Sequence, residues 1–257
     1  MSATWTDHLW FALGLLVVAG LTVGLGRWAR VGLGWLPVTA LVRAIVQLTV
    51  VALLLRGVLE APWTVLAFLA LMATTASVTA GGRLRELRHG RRIAAVGVVA
   101  GATTALAVVL ALRLVEVDAR TLVAVAGIVV GSTMTAATLS GRHFLHDSRQ
   151  RRDEVEAWFA LGATPSRAHD EVGRQAVRES LIPNLDQTRS TGLVTLPGAF
   201  VGALFGGADP VEAAQFQLVV LAALGLSMMT TAVIVTRLAG RTPFLAPVES
   251  EASRARR

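Results

Sequence analysis

The sequence of 257 residues contains no cysteine and no lysine. Without cysteine it can form neither disulfides nor thiolate metal sites, and the redox compartment is left open. All 24 basic residues are therefore arginine. A Walker A loop needs a lysine after its glycine-rich turn to hold nucleotide phosphates. This chain has none, so ATP-driven work would require a second chain. Charge is scarce as well: 16% of residues are charged, against about 25% in ordinary soluble domains. What is abundant is apolar. Hydrophobic residues make up 54% of the chain, and the mean hydropathy is +0.61.

Apolar runs of the length needed to cross a hydrocarbon core, about 20 residues for about 30 Å, recur along the chain. The pattern predicts an all-α, polytopic membrane protein with about seven spans: Leu9–Gly26, Leu36–Val58, Pro62–Gly81, Ile93–Leu112, Thr121–Leu139, Thr191–Gly207 and Val211–Leu238. The first run lacks a basic n-region and a small-residue cleavage site, so it reads as a retained helix. With the N-terminus outside, the inner segments carry 20 arginines and the outer loops carry Arg56, Arg113 and Arg120. Cytoplasmic loops are enriched in arginine and lysine. The split therefore predicts N-terminus out and C-terminus in, a multi-pass protein of the cell inner (plasma) membrane. It also explains the pI near 11.5 without a nucleic-acid partner.

Residues 1–242 read as one transmembrane domain, followed by a disordered tail, 243–257. Gly141–Ser190 reads as its one sizeable solvated segment, helical and broken at Gly162–Thr164. Thr164-Pro165 has the form of an N-cap and first helical residue, and Pro183 is the expected end of the second helix. Asp209, Pro210 and Glu212 read as a capped helix start.

Within the spans, small residues recur four apart: Gly20 and Gly24, Gly97 and Gly101, Gly127 and Gly131, and Gly198, Gly202 and Gly206. Such faces let helix backbones approach closely in lipid. Pro197-Gly198 interrupts the sixth span, and interrupted helices often border transport pathways. The pathway candidates are Arg43, Gln47, Ser132, Thr133, Met134, Pro197, Gly198 and Gln217. Arg43 is the one charge within a span, and a buried hydrogen-bonding role is expected for it. No Asp, Glu or His falls in the middle of any predicted span, which counts against a proton- or sodium-driven carrier. His143, His146 and Asp147 could share a metal, although solvated side chains are the simpler reading. No nucleophile–base pair points to an enzyme.

One stretch within the solvated segment stands apart: Glu154–Ala168, "EVEAWFALGATPSRA". Val155, Trp158, Phe159 and Gly162 fall at i, i+3, i+4 and i+7, one face of a helix. Asp153, Glu154 and Glu156 disfavour an anionic lipid surface. A protein groove is the better receiver, with Gly162 allowing close approach. The stripe predicts a cytosolic partner.

"EAWFALG" (Glu156–Gly162) is similar to the Glu-Ala-(x)4-Gly core of the coupling loop in ABC transporter permeases. More specifically, the chain resembles the FetB-like permease family, linked with iron export. The resemblance rests on "VRAIVQL" (Val42–Leu48), "GSTMTAA" (Gly131–Ala137), "EAWFALGATPSRA" (Glu156–Ala168), "RESLIPNLDQTRSTGLVTLPG" (Arg178–Gly198) and "GGADPVEAAQFQ" (Gly206–Gln217). It implies a permease homodimer in the lipid bilayer, working with a cytosolic ABC ATPase subunit that binds ATP and Mg. No cofactor is expected in this chain. It also implies that Glu156, Ala157, Trp158, Phe159, Gly162, Ala163 and Pro165 transmit ATP-driven closure to the spans. The chain departs from the family pattern at Ser132 and Asp186, each in place of Asn, at Ala199-Phe200 in place of Met-Met, and at Phe216 in place of Tyr. The alternative is a stand-alone carrier or sensor that does not couple to an ATPase.

Overall fold

The computed structural model describes residues 5–58 and 62–242. The tail expected to be disordered, from 243 onward, lies outside the described residues. The described residues are helical, with one isolated bridge between Thr191 and Thr195. The chain packs as two compact units, Met1–Thr64 and Val65–Arg257.

The first unit is a helical hairpin of α1 (Trp5–Trp28) and α2 (Leu36–Val58). Both helices are apolar all round and mostly exposed, with Leu21, Leu25, Leu48 and Leu53 on the surface. Such a helix needs an apolar surround, and both are long and apolar enough to cross a membrane. The connection turns back within seven residues. Arg30, Gly32 and Gly34 adopt positive φ, and the Arg27 guanidinium lies 4.9 Å over the Trp35 ring.

The second unit contains α3 (Pro62–Arg83), α4 (Gly90–Ala111), α5 (Ala119–Gln150), α6 (Arg152–Ala160), α7 (Pro165–Ala168), α8 (Asp170–Ser190), α9 (Gly198–Phe205) and α10 (Pro210–Ala239). Among the described residues, six helices of the chain are long and apolar enough to span a bilayer: α1 to α5 and α10. α10 is the centre of this unit, flanked by α4, α5, α8 and α9.

Side-chain chemistry at the helix ends explains where these elements start. Asp118 accepts backbone hydrogen bonds from Arg120 (2.8 Å) and Thr121 (3.1 Å) at the head of α5. These bonds to Thr121 and Arg120 hold its carboxyl below the usual aspartate range. Asp209 and Glu212 form a reciprocal capping box on α10, with Pro210 at its first position, so the expected structural reading of that motif stands.

α4 packs against α10 through its glycines. The Thr231 hydroxyl donates to the Gly97 carbonyl at 3.1 Å. A Cβ on Gly101 would stand 2.0 Å from the Thr231 hydroxyl and 2.7 Å from the Ser227 carbonyl. Gly97 and Gly101 thus serve packing within the chain. Of the other repeats only Gly127 faces another helix, with Met72 Cε 3.4 Å from its Cβ position, and a Cβ at Gly20, Gly24, Gly131, Gly198 or Gly202 would meet nothing within 4 Å.

Three sequence expectations are corrected here. First, α5 does not stop at Leu139. It continues to Gln150, because Gly141, Phe144, Leu145 and Ser148 keep one face buried. Second, α8 runs through Pro183 to Ser190. Proline removes one helical N–H, but Val172, Ala176, Ser180 and Leu181 bury a face of this helix, and that burial holds it in place. Third, α8 is not a free segment but has one packed face. It lies against both α5 and α10 and runs antiparallel to α10. His169, its N-cap, lies beside Gly240; Gly173 faces Thr236; Leu181 clusters with Met228 and Ala136. The twelve steps from residue 169 to residue 181 rise about 18 Å along α10 at 1.5 Å each.

The expected sixth span, Thr191–Gly207, is correspondingly not a continuous helix. Only Gly198–Phe205 is helical, too short at about 12 Å to cross a 30 Å core. The chain rises along α10 as α8, breaks over 191–197, and continues as α9. The Phe200 N–H then reaches Gln217 in the upper part of α10. Proline and glycine at 197–198 and Gly192 (φ 94°) account for the break.

Candidate functional site

α6 and the turn after it form the tip that the apolar stripe pointed to. Val155 and Phe159, one helical turn apart, both face inward. Val155 is buried and Phe159 packs against the same core. Phe159 meets the buried His169 ring edge-on at 5.9 Å. His169 also lies 5.6 Å from the Phe144 ring, and its Nδ1 is 2.9 Å from the Pro165 carbonyl. This histidine therefore joins α5, α6, α7 and α8 at one point. The sequence reading passed over it. The available signal was its place four residues after Pro165, where a helical ring can reach the i−4 carbonyl.

The stripe is thus divided, which corrects the expectation that it faces a partner as a unit. Val155 and Phe159 anchor α6 to its own chain. Ala157, Trp158 and Leu161 are left exposed, Leu161 at 81%. The Arg167 guanidinium covers the Trp158 ring at 5.4 Å, and Glu156 pairs with Arg152 at 2.6 Å.

Gly162 is needed for the turn itself. Its φ is +81°, its N–H donates to the Phe159 carbonyl (2.9 Å), and the Ala163 N–H donates to the Trp158 carbonyl (3.0 Å). That pattern is a left-handed glycine cap. A Cβ at Gly162 would meet nothing within 4 Å, so within this chain the glycine is explained by backbone conformation. Thr164 and Pro165 then start α7 as expected, with proline at the first turn. The tip is a capped corner presenting Trp158 and Leu161.

The pathway candidates scatter. Arg43 and Gln47 are exposed on α2, so the expected burial of Arg43 is not observed. It lies about two turns from the start of α2, within reach of an interface by snorkelling. Ser132 and Thr133 face α10 and α4: the Ser132 and Ser227 hydroxyls are 3.2 Å apart, and Thr133 is fully buried. Met134 packs on the core. Pro197 and Gly198 open α9.

Gln217 is buried, and its side-chain oxygen accepts the Phe200 N–H at 3.2 Å. The first N–H groups of a helix have no partner within the helix, and here a buried side chain supplies one. Gln217 is accordingly the cap of α9. Gln217→Leu leaves that N–H unpaired. A stability loss of about 1–3 kcal/mol is expected, read as a lower melting temperature in detergent. An unchanged melting temperature would mean that α9 does not depend on this bond.

α5, α9 and α10 also enclose an open recess of about 770 Å³ at the end opposite the tip, lined by Arg120, Ile128, Gly202, Gly206, Glu212 and Phe216. Gly202 and Gly206 of the triple repeat thus border open space. His143 is partly buried and His146 exposed. No group of three or more His, Cys, Asp or Glu suited to a metal occurs among the described residues.

The family described as "Uncharacterised protein family (UPF0014)" matches residues 7–244. The chain is 35% identical to the UPF0014 membrane protein STAR2 of Oryza sativa subsp. japonica, over 82% of this chain and 77% of that protein. It is 33% identical to a UPF0014 membrane protein of Synechocystis, over 90% of each. It is 28% identical to the "Probable iron export permease protein FetB" of Escherichia coli, over 69% of this chain and 70% of that protein. No solved structure matches.

Proposed function

The chain belongs to the UPF0014 family of membrane proteins, and from that premise we propose that it is the membrane-spanning permease subunit of an ABC transporter. Two copies work with a separate cytosolic ATPase that binds ATP and Mg. The N-terminus is outside and the C-terminus inside. The cargo is a metal ion moved outward, iron by analogy with the relative named an iron export permease.

The observation that carries this reading is the tip. A capped corner presents Trp158 and Leu161 to solvent, while Val155, Phe159 and His169 fix it to α5 and α8. A push on the tip is therefore transmitted to helices that reach into the membrane. Tryptophan is enriched among the residues that dominate protein interfaces. The missing lysine supports the reading from the other direction, since this chain cannot build a Walker A site.

The test is an affinity pull-down of the tagged protein in mild detergent, with mass spectrometry. A stoichiometric ATPase subunit is expected. A folded protein that brings none sinks the coupled reading.

One observation favours a second reading, a stand-alone carrier. α8, which packs along the apolar α10, carries Glu179 and Asp186, and the carrier reading takes them to lie at membrane depth. Ionisable groups at such depth are typical of ion-driven carriers, and their apparent absence was what counted against one. Transport in liposomes without ATP would establish the carrier.

A further inference from the structure

The register of α8 against α10 places charge where lipid cannot solvate it. α4 runs antiparallel to α10, with Gly97 against Thr231 and Val235. Arg91 and Arg92 at the head of α4 therefore lie near the level of Arg237 and Gly240. These arginines mark one edge of the membrane layer, and the apolar run of α4 from Ile93 lies within it. Leu181, beside Met228, is eight residues above Thr236, or about 12 Å into that layer.

α8 is two-faced at this depth. Val172, Ala176, Ser180 and Leu181 are buried. The other face exposes Arg174, Arg178, Ile182, Asp186 and Arg189. Some of these charges have partners: Arg174 pairs with Glu171 at 2.8 Å and Arg189 with Asp186 at 3.6 Å. Arg178 makes no ion pair among the described residues. Exposed charges inside the hydrocarbon layer face a protein interior or water rather than lipid. Open, non-helical backbone at such depth, as in 191–197, is tolerated under the same condition.

We propose that the exposed face of α8 is the wall of a water-filled vestibule. It enters the membrane layer from the arginine-rich side and ends at the break between α8 and α9. A vestibule walled by arginines and an aspartate admits a hydrated, polar solute and not a lipid. The proposal rests on the register of α4, α8 and α10 and not on ATPase coupling, so the two can fail separately.

The absence of native cysteine makes the test direct. Single replacements Arg178→Cys, Ile182→Cys and Asp186→Cys are made on the α8 face. Leu161→Cys on the exposed tip and Val99→Cys on the exposed apolar face of α4 are the references. A charged, membrane-impermeant methanethiosulfonate reagent is applied to membranes on the side that modifies Leu161→Cys. The α8 cysteines are expected to lose their free thiol at a rate comparable to Leu161→Cys, while Val99→Cys keeps its thiol. Ile182→Cys removes no charge, so it reports even where the charged-site variants fold poorly. Protection of Ile182→Cys while Leu161→Cys reacts would overturn the vestibule. Equal modification of Val99→Cys would overturn the depth assigned to α8.

Discussion

Gly101→Leu is expected to give a protein that does not reach its native packing. A Cβ at 101 already stands 2.0 Å from the Thr231 hydroxyl and 2.7 Å from the Ser227 carbonyl oxygen, with Thr133 Cγ2 at 3.2 Å. The carbonyl is backbone of α10 and cannot rotate away. Thr231 is itself tied to the Gly97 carbonyl, so moving it breaks a hydrogen bond between the two helices. Relief requires α4 and α10 to separate, and α10 is the element around which α4, α5, α8 and α9 pack. Overpacking in a well-filled core costs about 1–3 kcal/mol, and a leucine opposed by backbone belongs at or above the top of that range. Loss of the monodisperse peak in detergent, or a large fall in melting temperature, is the measurement. Gly131→Leu is the matched control, since a Cβ there meets nothing within 4 Å, and its melting temperature is expected to stay near that of the parent. A Gly101→Leu protein that melts like the parent would disprove the drawn contact between α4 and α10.

That contrast also shows what could be read from sequence. Four-residue glycine spacing is visible in both α4 and α9, but spacing states only that a face is small. What the face meets depends on which helix is brought against it, and that is a property of the assembled unit. The continuous spans were legible because apolar runs carry their own length: α2 matches its expected bounds, and α3, α4 and α10 differ by at most a few residues.

α8 was illegible for the opposite reason. Its sequence is dense in Asp, Glu and Arg, and its buried positions are filled largely by small residues such as Ala176 and Ser180, so it reads as a solvated helix. Only the contacts of His169, Gly173 and Leu181 with the α10 segment reveal that it packs along that helix. The stripe in α6 had the right period, but only part of it faces outward. Periodicity finds a face, while its partner here was Phe144 and His169 of the same chain. The break at Gly162–Thr164 and the restart at Thr164-Pro165 were legible and are observed, whereas the glycine itself was assigned to close approach and is explained by its positive φ.

The divided stripe leads to the second large effect. Trp158→Ala with Leu161→Ala is expected to release the ATPase subunit and abolish ATP-driven transport, with the melting temperature of the membrane protein unchanged. Leu161 is 81% exposed and Trp158 37%, its ring under Arg167 at the surface, so removing them takes much less from the fold than removing buried residues. Val155→Ala with Phe159→Ala is expected to behave in the reverse order. Val155 is 2% exposed and Phe159 packs on the core, so this pair lowers the melting temperature first. It affects coupling only through a loosened tip. Gly162 is a poor place to ask the question with a bulky residue. Its φ of +81° makes leucine strained by roughly 1–2 kcal/mol whatever it touches. Gly162→Asn, which visits the left-handed region more readily, keeps the corner and adds side-chain volume at the tip. If the corner closely approaches an ATPase groove, Gly162→Asn weakens association with the melting temperature preserved. If association survives both Gly162→Asn and the Trp158/Leu161 pair, the tip is not the docking surface, and the stripe is accounted for entirely by the packing of Val155 and Phe159 within the chain.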